Sequence, residues 1–291
     1  MEVKELLRNV RRIELKTRGL SAEVFSGVYH SAFKGKGMSF SEVRPYQYGD
    51  DVRSIDWNVT ARTNTPHIKV FEEDRELTVI LAIDCSESML LRTPHKNKQE
   101  LLAELCAVLS FSGLSNHDKV GAIFFSDKVM QYIPPTKGHF QTLRIVRDLI
   151  NIKPQEGQTS IAVVLDFINQ VFKQRSICFL MSDFWSAGYE KTLKTTARKH
   201  DLIGIHVYDP LESHLPKSGF VQLKDPESGR KIWIDTANAA ILQSWNDHFE
   251  KHSQAIDTRF NQAGAEVLHF DSNASYIKLL QQFFQSRRLR K

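Results

Sequence analysis

From residue 77 onward, short runs of apolar and β-branched residues alternate with longer stretches whose apolar positions recur at helical spacing. The runs Leu77–Asp84, Val120–Ser126, Lys128–Ile133, Ile177–Ser182, Leu202–Tyr208 and Glu266–Phe270 predict strands. Between them, Lys98–Ser112, His139–Ile150, Ser160–Phe172 and Tyr189–Lys199 predict helices. In the first helix Leu101, Leu102, Leu105, Val108 and Leu109 form one apolar stripe. The runs "VILAI" and "ICFLM" are apolar without alternation, as strands covered on both faces are. Together these periods predict an α/β fold, a mostly parallel central sheet flanked by helices on both faces.

Residues 1–76 lie outside that rhythm and read as a separate segment ahead of an α/β domain over 77–291. The segment opens with a helical pattern and then becomes Gly-rich and aromatic. Later, "FVQLKDPESGRKIWID" predicts an inserted β-hairpin turning around Pro226–Gly229. A long helix follows from about Asn238 to Gln262, and a last one runs from about Ser275 to Gln285.

Composition changes this picture little. A hydrophobic content of 41% and a charged content of 25% are ordinary for a globular chain. A formal net charge of +5 over 291 residues is too small an excess to argue for nucleic acid. The start, "MEVKELLRNVRRIELKTRG", has no apolar core and no small-residue cleavage pattern, so it does not read as a secretory signal. The apolar runs stop short of the roughly 20 residues a bilayer span needs. Cys85, Cys106 and Cys178 sit in or beside predicted buried elements without C-x-x-C spacing, the usage of reduced thiols in a cytoplasmic protein.

The chemistry gathers where strands end. "VILAIDCSESM" runs from burial straight into Asp84, Ser86 and Ser88, and alternate residues of an extended chain share a face. "EGQTS" sets Thr159 just before a helix, and "FLMSDFW" sets Asp183 at the carboxyl end of another buried strand. In open α/β sheets ligands bind outside the carboxyl ends of the strands, where such loops converge. Taken singly, each piece has a plain reading: Asp and Ser favour turns, and Thr159 suits a helix N-cap. Taken together and in this order, "DCSESM", "GQTS" and "LMSDF" resemble the metal-ion-dependent adhesion site of von Willebrand factor A domains, D-x-S-x-S … T … D. That resemblance implies Ser86, Ser88 and Thr159 as hydroxyl ligands of Mg²⁺ or Mn²⁺, with Asp84 and Asp183 acting mostly through bound waters. It further implies that a partner's Asp or Glu completes the ion's shell. Glu87 stands where that family often has glycine, and it can contact a partner or crowd the ion.

The front stretch, "GKGMSFSEVRPYQYGDDVRSIDWNVTARTNTPHIKVFEEDRE", interleaves Arg44, Arg53 and Arg62 with Asp50, Asp51 and Asp56 around Tyr46, Tyr48 and Trp57. Its composition predicts a charge-paired, aromatic-anchored unit turning at Gly49-Asp50. Two roles are open for Arg44, Asp50, Asp51, Arg53, Asp56 and Trp57: holding the segment together and onto the α/β domain, or meeting a partner. This pattern, with "VYDPLESHLPKSGF" and "LKDPESGRKIWIDT", resembles the bacterial domain-of-unknown-function family 58, in which such a segment precedes a von Willebrand A-like domain. The resemblance implies a MoxR-type AAA+ ATPase as partner, since such proteins are typically encoded beside one. The expected function is therefore a non-catalytic, metal-dependent interaction module. A metal-dependent hydrolase of phosphatase type, with Glu87 or Asp50 and Asp51 assisting, and a scaffold with a vestigial site are the alternatives.

Other signals are weaker. Lys34–Gly37 lacks the spacing of a phosphate loop, and "HFEKH" is not H-E-x-x-H, so His248 and His252 read as a solvated helix face. No nucleophile elbow surrounds Ser86 or Ser88. Lys4, Arg8, Arg11 and Arg12 on the first helix, with the tail "SRRLRK", could meet an anionic membrane surface, but a solvated basic face is the simpler reading.

Overall fold

The structure is a computed structural model that describes residues 39–72, 77–90, 98–153, 159–224 and 231–289. Strands β1 (Ser39–Pro45) and β2 (His67–Glu72) pair antiparallel, and the helix α1 (Trp57–Thr63) lies between them in the chain. Short-range chemistry shapes this front unit. Gly49, at φ 109°, makes the turn that lets Arg44 grip Asp50 with two hydrogen bonds of 2.8 Å. Asp51 accepts the Arg53 backbone N–H at 3.0 Å, and Asp56 caps α1 by accepting from Asn58 and Val59. Arg44 and the aspartates thus serve local structure. The aromatic anchoring expected of the stretch is not found: Trp57 is 70% exposed and Tyr48 fully so. With their caps made by neighbouring side chains, α1 and its turn fold without burying either ring.

The α/β part is built on a six-stranded sheet. Its strands are β3 (Thr78–Asp84), β4 (Lys119–Phe125), β5 (Val129–Thr136), β6 (Ile177–Ser182), β7 (Asp201–Tyr208) and β10 (Glu266–Asp271), in the order β10-β7-β6-β3-β4-β5. All neighbours are parallel except β4 and β5. The hairpin strands β8 (Phe220–Lys224) and β9 (Lys231–Asp235) form a separate antiparallel ribbon. Strand β5 runs past the predicted end through Pro134 and Pro135, which an edge strand tolerates because one side of its backbone has no ladder to make.

The described helices after α1 are α2 (Glu87–Leu90), α3 (Lys98–Ser115), α4 (His139–Asn151), α5 (Ile161–Val171), α6 (Glu190–Lys199), α7 (Pro210–Ser213), α8 (Ala239–Ala263) and α9 (Tyr276–Leu289). Alternate residues of β3 face opposite ways, and each side has its own core. Val79, Leu81 and Ile83 join side chains of α3, α4 and α9, while Ile80 and Ala82 join α5, α6 and α8. The expected α/β layering is therefore what the chain adopts. Helix α3 departs from its single-stripe prediction. Glu104, Ser110 and Ser112 are buried along with its leucines, because sheet and neighbouring helices enclose it on nearly every side. The Ser112 hydroxyl answers its own burial by donating to the Val108 carbonyl at 2.6 Å.

Helix α8 lies close against β7 at Gly204. A Cβ there would sit 2.6 Å from the Phe260 ring, so only hydrogen fits. The basic amino-terminal helix, Lys34–Gly37 and the Pro226–Gly229 turn lie outside the described residues. The Phe260 contact predicts that Gly204→Ala lowers unfolding free energy by about 1–3 kcal/mol through overpacking. Urea unfolding checks this, and an unchanged midpoint would mean that α8 shifts freely on the sheet.

Candidate functional site

Parallel pairing sets Ile83 of β3 beside Met181 of β6, so Asp84 and Ser182 leave adjacent strands together. The Ser182 hydroxyl donates to Asp84 Oδ2 at 2.6 Å and accepts the Phe184 N–H at 3.0 Å. Asp84 Oδ1 accepts the Ser86 N–H at 2.9 Å, which turns the chain so that the Ser86 and Ser88 hydroxyls lie 3.1 Å apart. Asp84 and Ser86 have no exposed surface, whereas Ser88 and Glu87 are half-buried. Burial pushes the Asp84 carboxyl up to about 7, and nearby Asp183 adds to the rise against the hydrogen bonds from Ser182 and Ser86.

Thr159 reaches the same edge by a different route. The N-cap position of α5 falls on Ser160, whose side chain makes no capping hydrogen bond, and not on Thr159 as the plain reading had it. The Ser160 N–H donates to the Ser126 carbonyl at the end of β4, and the Thr159 carbonyl accepts from the Ser186 hydroxyl at 3.0 Å. The Thr159 Oγ1 is left buried without a hydrogen-bond partner. Asp183 is similar: Oδ1 accepts the Trp185 N–H at 3.3 Å, while buried Oδ2 has no hydrogen-bond partner. Phe184, which follows, holds φ at 59° although it is not glycine. Its ring is fully buried against Phe260 at a centroid distance of 5.3 Å, which compensates that strained backbone.

Several neighbours of the cluster carry no motif. The Lys98 ammonium, at the start of α3, donates to Glu212 at 2.7 Å and lies 3.7 Å from Asp183 Oδ2. Burial pulls this ammonium down, yet Glu212, Asp183 and Asp209 outweigh it and hold it above its ordinary value. Glu212 belongs to the capping box of α7, where it also accepts the Asp209 N–H at 3.1 Å. His252 donates from Nε2 to the Asp183 carbonyl at 2.9 Å and stacks on Trp185 at 3.6 Å. His248 stacks on the same indole at 5.5 Å. The solvated-face reading of these histidines therefore fails for His252: the face of α8 that carries it is turned onto the loop after β6. Behind them His206 is held neutral, first by burial and then by His269, His252 and Lys98.

Asp84, Ser86, Ser88, Thr159 and Asp183 thus belong to loops meeting at one sheet edge. Asp50 is engaged within the front unit by Arg44 and the Gln47 N–H, and Asp51 by the Arg53 N–H. Among the described residues no three His, Cys, Asp or Glu side chains gather as a cation site. Among the described residues, an ion at this edge would depend on the hydroxyls. No described helix is long and apolar enough to cross a membrane. Cys85, Cys106 and Cys178 are free and buried, and burial raises each thiol.

The family described as "Protein of unknown function DUF58" matches residues 42–255. An uncharacterized protein of Mycobacterium tuberculosis strain H37Rv is 28% identical over 289 residues, covering 98% of this chain and 90% of its own. Another, from Mycobacterium avium, is 24% identical over 164 residues, 55% of this chain and 95% of its own. Among solved structures, the conserved hypothetical protein BatB from Bacteroides thetaiotaomicron matches 74% of this chain and all of its own, at TM-score 0.48 and 19% identity. Proximal thread matrix protein 1 from the mussel byssus, solved with a zinc-occupied MIDAS motif, matches 74% of this chain and 48% of its own, at TM-score 0.44 and 17% identity.

The raised Asp84 carboxyl has a signed consequence in metal-free protein. Its folded value, about 7, exceeds the ordinary carboxylate value of about 3.9, so the folded state holds the proton more tightly. The stabilisation it gives is fully present below pH 4 and is lost as pH rises through 7, with a slope of at most about 1.4 kcal/mol per pH unit. Asp84→Asn removes that slope. Melting curves in EDTA from pH 5 to 8 check it, and a wild-type decline matched by the variant would assign the loss elsewhere.

Proposed function

We propose that this chain, which belongs to the DUF58 family, is a non-catalytic protein–protein interaction module built on a von Willebrand A-like α/β fold, whose Asp84, Ser86, Ser88, Thr159 and Asp183 take up Mg²⁺ or Mn²⁺. The observation that carries this reading is the pair of buried oxygens without hydrogen-bond partners, Thr159 Oγ1 and Asp183 Oδ2, at the edge where the Ser86 and Ser88 hydroxyls meet. Buried polar atoms are rarely left unsatisfied, and a hard oxygen-seeking cation answers such atoms. The donor set fits magnesium or manganese, which favour oxygen ligands.

In this reading Ser86, Ser88 and Thr159 supply neutral hydroxyls, and Asp84 and Asp183 act from behind through water. A bound ion supplies an electrophilic position that accepts a carboxylate from another molecule. Asp84 orients Ser86 through the backbone N–H and is itself oriented by Ser182. Few charged ligands mean weak binding by the chain alone, and binding of ion and partner promote one another. The partner is a protein offering an Asp or Glu, and the family resemblance makes a MoxR-type AAA+ ATPase in the cytoplasm the first candidate. A hydrolase reading asks Glu87, Asp50 or Asp51 to act as base, and the two aspartates are already engaged in the front unit's turn and cap.

Calorimetric titration with Mn²⁺ tests the proposal. The native chain is expected to show weak, saturable binding, and Asp183→Ala to weaken it by about 10- to 100-fold. Equal heats from both proteins would remove the ion from this edge. Capture of the ATPase that persists with EDTA would remove the metal bridge while keeping the partner.

A further inference from the structure

The segment "DPLES", Asp209 to Ser213, sends one side chain into the candidate site. Glu212 is fixed by the capping box of a turn opened by Asp209 and Pro210, and its Oε1 takes both the Asp209 N–H and the Lys98 ammonium. Lys98 has only 7% of its side chain exposed, and it stands 3.7 Å from the same Asp183 oxygen that lacks a hydrogen-bond partner. At that distance the pair attracts through charge without a directed bond. The oxygen faces a cation that the chain itself carries.

We propose that Lys98 is a resident cation of this site: held by Glu212 beside Asp183, its ammonium competes with a divalent ion for that carboxylate and sets the ion's affinity low. The inference rests on the metal reading above. Its physical basis is simple. Without a divalent ion, two buried carboxylates near one another are costly, and the ammonium offsets part of their charge. When the ion arrives, the same ammonium repels it across a short, poorly screened distance. Site charge and the Asp209–Ser213 turn are thereby coupled, because Glu212 is the group that keeps Lys98 from closing fully on Asp183. The Trp245 indole N–H donates to the Leu211 carbonyl at 3.2 Å, which joins that turn to α8.

The test is Mn²⁺ titration of the full chain, followed by the electron-spin signal of free Mn²⁺, for the native protein, Lys98→Met and Glu212→Gln. Glutamine can still accept the Asp209 N–H, so Glu212→Gln keeps the cap if Lys98→Met does not fold. Removal of the ammonium is expected to tighten Mn²⁺ binding by about tenfold or more, and removal of the Glu212 charge to weaken it by a similar factor. Binding by Lys98→Met alone would support the proposal equally. Equal affinity in all three proteins would overturn it and leave the metal reading standing, whereas no binding in any would overturn both. A metal-independent arm uses melting in EDTA. Lys98→Met is expected to lower the melting temperature, and adding Asp183→Asn to recover part of that loss; no recovery would overturn the proposal.

Discussion

Asp84 carries a carboxylate into a place with no solvent, at the end of a strand whose residues Val79 to Ile83 are wholly buried. Such a charge is costly unless its oxygens are received, and the surrounding elements are arranged to receive them. The parallel pairing of β3 with β6 brings Ser182 to one oxygen, and the turn after β3 brings the Ser86 N–H to the other. Those two bonds also set where the Ser86 and Ser88 hydroxyls lie and how the loop after β6 leaves the sheet. Phe184, in its strained conformation, follows from the same junction: its N–H is bonded to Ser182 while its ring is driven into the core.

Around that fixed point the electrostatics balance unevenly. Asp183 lies close enough to raise Asp84, and Lys98 lies close enough to Asp183 and Glu212 to offset them in part. Two buried oxygens, on Thr159 and Asp183, still lack hydrogen-bond partners. On the proposed reading, those two oxygens are what a further cation would answer. The exposed Trp185, held flat against His252 at 3.6 Å, stands at the rim of the site and offers an apolar surface beside the charged centre.

The fold was largely legible because short, β-branched apolar runs such as "VILAI" read as strands covered on both faces, and the helical spacing between them was regular. The mostly parallel sheet was legible from the same alternation, but the reversal at β5, which pairs antiparallel with β4, was not. Asp84 and Asp183 could be placed at this edge because each stands at the end of a buried strand, with Ser86 and Ser88 just beyond β3, whereas Thr159 stands before a helix and joined the set through its order in the motif. Lys98 could not: its partner Glu212 is 114 positions away, and a lysine at the start of an amphipathic pattern looks solvated. The same holds for His252, whose contact with the Asp183 carbonyl spans 69 positions. Ser182 was visible beside Asp183 in "LMSDF", yet only the sheet register shows that it points to Asp84. Trp57 misled because a tryptophan among paired charges reads as an anchor, and here the caps and the Arg44–Asp50 pair hold the unit without it.

The most direct measurement is the anomalous diffraction of crystals grown with Mn²⁺, recorded where manganese scatters strongly. One peak is expected, bounded by the hydroxyl oxygens of Ser86, Ser88 and Thr159, with Asp84 and Asp183 behind it. No peak at that edge, with the Thr159 and Asp183 oxygens instead satisfied by protein groups or by Lys98, would contradict it.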